Sequence, residues 1–209
     1  MDHQKETAET WNKVADFYQE RFMDLNIYNQ TYDTFCETVT KPNAHILEIG
    51  CGPGNITKYI VSRRPDFRID AIDIAPNMVA LAKQNNPSIA VSVMDCRDIN
   101  QLTSKYDGII CGFCLPYLSV TDSEKLFKNM AHLLQDKGTL YLSFMEGTPE
   151  QSGYQTNSRG DRMYFEYYTL DWVIQQLIIN GFSQPDVIKI PFQKADGSME
   201  EHTILIADF

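Results

Sequence analysis

Three glycines separated by single residues, Gly50, Gly52 and Gly54, lie early in the chain. They follow a short apolar run, and a helical pattern begins directly after them near Asn55. A strand that turns through glycines into a helix exposes backbone N–H groups on which a ligand can lie. The sequence therefore predicts a ligand-binding loop that joins the first strand of an α/β fold to its helix.

Strand and helix patterns alternate along the rest of the chain, which favours a mostly parallel sheet. Strands are predicted at 45–49, 67–73, 89–94, 107–112 and 139–145, with a terminal hairpin near 187–192 and 202–207. Helices are predicted at 55–64, 75–86, 122–135 and from 170 onward. Before the first strand, apolar residues at 11, 14, 15, 18 and 22 define one helix face, and a second helix spans about 28–39.

Size and charge narrow the classes of function. A chain of 209 residues suits one domain, and its net charge of −10 makes a nucleic-acid partner unfavourable. No apolar stretch approaches the roughly 20 residues that span a membrane. The five cysteines predict reduced thiols in a cytoplasmic protein. Cys111 and Cys114 form a C-x-x-C pair without a second pair, so we expect no metal site.

The spacing of the glycines distinguishes between ligands. A dinucleotide fingerprint, G-x-G-x-x-G, would need a glycine where this chain has Asn55. With Glu48 before the first glycine, the loop resembles the first motif of class I S-adenosylmethionine-dependent methyltransferases. Segments 72–78, 94–99 and 106–113 resemble further motifs of that family, in the expected order over residues 45–145. The resemblance implies a Rossmann-like, doubly wound, seven-stranded sheet of order 3-2-1-4-5-7-6, whose last strand is antiparallel.

The resemblance also implies S-adenosylmethionine as cofactor and a set of residues that bind it. Asp73 would accept hydrogen bonds from the ribose diol, although a helix N-cap is an alternative interpretation. Asp95 would accept from the adenine amino group. The full implied set is Tyr18, Glu48, Gly50, Cys51, Gly52, Gly54, Asn55, Asp73, Ile74, Met78, Asp95, Cys96, Cys111, Gly112 and Phe113. For Tyr18, packing of an amphipathic helix on the sheet edge is an equal alternative.

The sequence motifs say less about which residues bind the methyl acceptor or take part in its methylation. Candidates for a catalytic role are Tyr117, Glu146 after the fifth strand, and Tyr164. Aromatic and guanidinium groups on a long polar insertion suggest that Tyr117, Arg159, Tyr164 and Tyr167 bind the substrate. An edge strand with stacked tyrosines is an equal alternative. The identity of the acceptor is not readable from these residues.

The sequence as a whole predicts one methyltransferase domain over residues 1–209. Its predicted parts are a helical lid (1–40), a cofactor-binding half (41–146), and an acceptor-recognition insertion with the last helix and hairpin (147–209). We expect a monomer or homodimer that methylates a small molecule at an O or N nucleophile, largely by positioning. Alternatives are a non-catalytic S-adenosylmethionine-binding protein and a methyltransferase of tRNA or protein. A nucleotide-dependent oxidoreductase is disfavoured by Asn55.

Overall fold

A seven-stranded β-sheet with helices on both faces forms the centre of the computed structural model, which describes residues 3–157, 159–194 and 196–209. The strands are His45–Ile49 (β1), Arg68–Asp73 (β2), Ala90–Val93 (β3), Tyr106–Gly112 (β4), Leu134–Met145 (β5), Gly153–Thr156 (β6), Arg162–Phe165 (β7), Asp186–Gln193 (β8) and Met199–Asp208 (β9). The helices are His3–Lys13 (α1), Ala15–Phe22 (α2), Asn29–Thr38 (α3), Asn55–Arg63 (α4), Pro76–Asn85 (α5), Val120–Leu133 (α6) and Leu170–Ile179 (α7). No helix in these ranges combines the length and apolarity needed to cross a membrane.

The strand order is β3-β2-β1-β4-β5-β9-β8, and β9 runs antiparallel to both of its neighbours. This confirms the predicted order 3-2-1-4-5-7-6. Counted along the chain, β8 is the sixth strand of this sheet and β9 is the seventh. In β1, Ile49 lies opposite Ile72 of β2 and Cys111 of β4. The carboxyl ends of these three strands therefore meet at one edge, where the glycine loop leaves β1.

The two faces of the sheet are buried in separate hydrophobic clusters. Ile46 of β1 and Ile110 of β4 pack in one cluster with Phe35 of α3. Their chain neighbours Leu47 and Ile109 point to the opposite face and pack in the cluster that contains residues of α6 and α7. Burial of both faces explains why the central strands are almost continuously apolar, as in other parallel sheets.

Three features differ from the predicted layout. Helix α6 ends at Leu133 and β5 begins at Leu134, whereas the sequence predicts helix to residue 135 and strand from residue 139. The N-terminal helical face is divided at Val14, whose φ of −95° and ψ of 10° separate α1 from α2. The polar insertion contains a hairpin of β6 and β7, with Tyr164 in β7, whereas the sequence offers only an edge strand at the tyrosines as an alternative. This hairpin pairs outside the main sheet and contacts α1, where the Thr10 hydroxyl donates to the Arg162 carbonyl at 2.9 Å. Helix α1 is thus attached to the polar insertion.

Candidate functional site

The glycine loop follows a path that requires glycine. Gly50, Gly52 and Gly54 have φ values of 69°, 54° and 82°, in the left-handed region where a side chain causes strain. At Gly54 a Cβ atom would also lie 2.3 Å from the Asn86 amide nitrogen, which donates to the Gly54 carbonyl. The N–H of Gly50 donates to the Ile72 carbonyl at 2.9 Å, which fixes the loop against the end of β2.

Asp73, the last residue of β2, supports the same loop. One carboxylate oxygen accepts from the Gly52 N–H and the other from the Ala75 N–H, each at 2.8 Å. Burial raises the pKa of Asp73, and the two N–H donors oppose that rise. The N-cap of α5 is Ala75, so Asp73 is not the cap of that helix. Each oxygen keeps a further lone pair that can accept from a diol.

A cavity of about 140 Å³ lies at this edge of the sheet, below α1 and α2. Ten of the predicted cofactor residues line it: Tyr18, Gly50, Gly52, Asp73, Ile74, Met78, Asp95, Cys96, Gly112 and Phe113. We call it the cofactor cavity. The other five do not line it. Cys51 and Cys111 are buried, whereas Gly54 and Asn55 lie where the loop enters α4.

Glu48, the fifth of these, lies beneath the loop and is 1% exposed. Its Oε2 accepts a hydrogen bond from the Thr57 hydroxyl, whereas Oε1 has no hydrogen-bond partner among the described residues. Burial raises the pKa of Glu48 to about 7, and the Thr57 donors only partly offset the effect. This carboxyl group therefore titrates near neutral pH inside the fold.

Arg97 is a lining residue that sequence reasoning missed. The Asp95 carboxylate caps a short 3₁₀ helix, Cys96–Gln101, by accepting from the Arg97 N–H at 2.9 Å. The Arg97 guanidinium also binds both oxygens of Asp95 through Nε, at 3.0 and 2.9 Å. Asp95 is thus held in a fixed orientation at the cavity wall. The sequence signal for Arg97 was its position two residues after Asp95, the predicted adenine contact.

Helix α1 supplies most of the other residues that line the cofactor cavity and were not predicted from the sequence. The lining residues that were missed are Gln4, Thr7, Ala8, Trp11, Met94, Arg97, Cys114 and Leu118. Those of α1 follow the spacing of one helix face, which was a signal for a buried contact. The Trp11 ring lies between Tyr18 and Tyr117, with ring centres 5.3 and 5.4 Å away. Aromatic side chains therefore cover the cavity from above.

A second cavity, of about 390 Å³, adjoins the first. Both share the wall residues Gln4, Thr7, Tyr117 and Leu118. The second cavity is further lined by His3, Ser119, Asp122, Tyr164 and Glu166. We call it the acceptor-side cavity. It contains two of the predicted acceptor residues, Tyr117 and Tyr164. Burial raises the pKa of the Tyr117 phenol well above its usual value.

The remaining predicted acceptor residues line neither cavity. The Glu146 carboxylate forms an ion pair with the Lys189 ammonium. The Arg159 guanidinium lies over the Phe17 ring, 5.1 Å from its centre. Tyr167 packs so closely on the backbone at 147 that a Cβ atom there would lie 2.5 Å from its ring. The structure therefore separates the predicted set into two residues at the cavity and three outside it.

Comparison with known proteins supports this description. Residues 46–138 match the family described as methyltransferase domain. A malonyl-[acyl-carrier protein] O-methyltransferase of Priestia megaterium is 28% identical over 187 residues, which cover 74% of this chain and 66% of that protein. The chain spans between 22% and 66% of the length of the curated relatives compared with it.

Solved structures share the whole fold. The magnesium protoporphyrin IX methyltransferase of Synechocystis, solved with bound S-adenosylmethionine, superposes with a TM-score of 0.72 at 19% identity and covers 100% of this chain and 97% of its own. The N-methyltransferase NodS of Bradyrhizobium japonicum, in complex with S-adenosylhomocysteine, gives a TM-score of 0.70 at 18% identity, with 99% and 98% covered. The family match covers residues 46–138, and the fold that the whole chain shares is the Rossmann-like fold of these methyltransferases.

Proposed function

We propose that this protein transfers the methyl group of S-adenosylmethionine to a small-molecule acceptor through an O or N nucleophile. The observation that carries the proposal is the acceptor-side cavity, which shares a wall with the cofactor cavity. Two adjoining cavities are what a transfer between two bound molecules requires.

The residues of the cofactor cavity fit the proposed cofactor. Asp73 offers two carboxylate oxygens to a ribose diol. The Asp95 carboxylate is paired with the Arg97 guanidinium, which an adenine amino group at this position would share or displace. Gly50 and Gly52 line the cavity without side chains, so a ligand can approach their backbone closely. When bound, S-adenosylmethionine supplies a methyl group that is already activated by the sulfonium charge.

The chain then contributes mainly by positioning and by excluding water. Trp11, Tyr117 and Leu118 line the covered side of the cofactor cavity, and the last two continue into the acceptor-side cavity. Since burial raises its pKa, the Tyr117 phenol stays protonated at neutral pH and can donate a hydrogen bond, but it is not a base there. Holding two reactants in line can supply roughly 7–11 kcal/mol.

The relatives named above support a small acceptor, because the names of two of them include malonyl-[acyl-carrier protein] and magnesium protoporphyrin IX. The net charge of −10 argues against a nucleic-acid acceptor. The five free cysteines support a reducing compartment such as the cytoplasm. These observations leave the particular acceptor to experiment.

The first test is calorimetric titration of the purified protein with S-adenosylhomocysteine, with NAD as the control. We expect binding in the micromolar range for S-adenosylhomocysteine and none for NAD. Transfer of tritium from S-adenosyl-[methyl-³H]methionine to a small-molecule pool then tests turnover. A folded protein that does not bind S-adenosylhomocysteine contradicts the proposal, whereas binding without transfer to any pool indicates a non-catalytic binder.

A further inference from the structure

The acceptor-side cavity has a distinctive charge. Its walls carry two carboxylates, Asp122 and Glu166, and the rings of His3, Tyr117 and Tyr164. No lysine or arginine is among the described residues that line it. Because a carboxylate-bearing acceptor would meet like charge in this cavity, the walls disfavour acids and favour a ligand with a positive charge.

Glu166 is the carboxylate that is open to a ligand. Its backbone N–H donates to the Pro116 carbonyl at 2.8 Å, which anchors the residue beside the shared wall. The side chain is half-buried, and among the described residues its one hydrogen-bond donor is the Ser152 hydroxyl, at the long distance of 3.4 Å. No salt bridge within the described chain involves Glu166. Most of its acceptor capacity is therefore unused.

Asp122 is already engaged by neighbouring groups. The Gln4 amide and the Ser119 hydroxyl donate to its Oδ2 at 2.7 and 2.8 Å, and the Lys125 ammonium lies 3.5 Å from Oδ1. Burial opposes ionisation of Asp122, but these donors outweigh it and hold the pKa below its usual value. The charge of Asp122 is thus offset by Lys125 and Arg97, and Glu166 is left to make the direct contact.

Aromatic rings form the rest of the binding surface. The Tyr164 ring stacks on His3, with ring centres 4.6 Å apart, and meets the Tyr154 ring at 90°, with ring centres 5.3 Å apart. The Tyr117 ring is held edge-on by Trp11 and by Phe165, at 5.4 and 5.2 Å. Aromatic faces attract an ammonium group and also pack against an apolar body. Their combination with a free carboxylate is suited to an amine on a hydrophobic scaffold.

We propose that the methyl acceptor is an organic amine whose protonated nitrogen is bound by Glu166, beside the rings of Tyr117 and Tyr164. For transfer, Glu166 accepts the ammonium proton, the freed nitrogen lone pair forms the bond to the methyl carbon as the bond from that carbon to sulfur breaks, and S-adenosylhomocysteine is left as the second product. This inference rests on the proposed function, because it takes the second cavity to be the acceptor site. It excludes carboxylic acids, including malonyl-type acceptors, as preferred substrates of this protein.

The test compares three probes of similar size: phenethylamine, 3-phenylpropionate and 2-phenylethanol. Each is titrated into the protein with and without S-adenosylhomocysteine, and heat of binding is measured. We expect phenethylamine to bind at least tenfold more tightly than the other two. Glu166→Gln, which keeps the size and one acceptor oxygen, should weaken amine binding by about tenfold, because a hydrogen bond to a charged group is lost.

Glu124→Gln is the matched control. Glu124 is exposed on α6 and lines neither cavity, so the variant removes the same charge elsewhere. We expect it to bind phenethylamine as the unmodified protein does. Thermal unfolding of both variants checks that they are folded, and phenylethanol affinity should be the same in both.

Three results would overturn the inference: equal or tighter binding of 3-phenylpropionate, an unchanged amine affinity in Glu166→Gln, or no amine binding at millimolar concentration. The titration with S-adenosylhomocysteine alone separates this inference from the proposed function. If that ligand binds while the amine preference is missing, the function stands and the acceptor class is wrong. If it does not bind, the function is wrong, whatever the probes show.

Discussion

Asp73 combines two tasks in one carboxylate. Its oxygens hold the Gly52 and Ala75 N–H groups, so they fix the glycine loop relative to the start of α5. The same oxygens line the cofactor cavity, where we expect them to bind the ribose. The local sequence indicates either a ribose contact or a helix N-cap. The bridge that the carboxylate forms between the glycine loop and the start of α5 is visible only in the folded chain.

Replacing Asp73 with alanine should weaken S-adenosylhomocysteine binding by at least tenfold, about 1.4 kcal/mol, because charged hydrogen bonds to the ribose are lost. Calorimetric titration measures the change. Asp98→Ala is the control, since Asp98 is an exposed carboxylate of the neighbouring 3₁₀ helix that lines neither cavity. Unchanged affinity in Asp73→Ala, or an equal loss in Asp98→Ala, contradicts the ribose assignment.

At the scale of elements, α1 and the β6–β7 hairpin form one cover. The Thr7 hydroxyl accepts from the Tyr164 N–H at 3.2 Å, and the Thr10 hydroxyl donates to the Arg162 carbonyl at 2.9 Å. Both threonines are buried, which is unusual for polar residues of an N-terminal helix. The hairpin is thus positioned by a helix about 150 residues away along the chain.

Thr10→Val should loosen this attachment without changing a cavity wall. Loss of one neutral hydrogen bond, about 1 kcal/mol, should speed amide hydrogen exchange in α1 about fivefold. Mass spectrometry of peptides from residues 3–13 measures the rate. The control, Thr34→Val, removes an exposed hydroxyl of α3 that bonds within its own helix. Identical α1 exchange in the two variants would show that the hydrogen bond does not hold the cover.

At the scale of the whole molecule, the buried Glu48 should make stability depend on pH. Its pKa is raised from 4.5 to about 7 in the folded state, so between these values the folded chain keeps a proton that the unfolded chain has lost. The contribution is fully present below pH 4.5 and is lost as pH rises to about 7. At about 1.4 kcal/mol per pKa unit, the loss is about 3 kcal/mol.

Urea denaturation of the protein and of Glu48→Gln across this pH interval measures the effect. The free energy of unfolding of the unmodified protein should fall relative to that of the variant as pH rises through the interval, and the difference should be constant above about pH 8. Groups common to both proteins cancel in this comparison. Parallel stability curves would mean that Glu48 is ionised without penalty in the folded state.

The sequence predicted the central sheet because its signals are local. Apolar runs, the glycine loop and Pro76 at the start of α5 each mark an element within a few residues. The β6–β7 hairpin was not predicted, because its short strands lie outside the main sheet and are held by contacts with α1. Glu166 carried no local signal, because its cavity is assembled from α1, α6 and β7 with their adjoining loops. The proposed division into lid, cofactor half and insertion stays a prediction.

The wall shared by the two cavities has a consequence for the affinities of the two ligands. Gln4 and Thr7 of α1 belong to both cavities, so the free energy of placing this helix enters both binding equilibria. Thermodynamic linkage is reciprocal: the factor by which one ligand changes the affinity of the other applies equally in reverse. If binding of one ligand fixes this helix, the second ligand should bind more tightly, and the acceptor and S-adenosylhomocysteine should raise each other's affinity by the same factor.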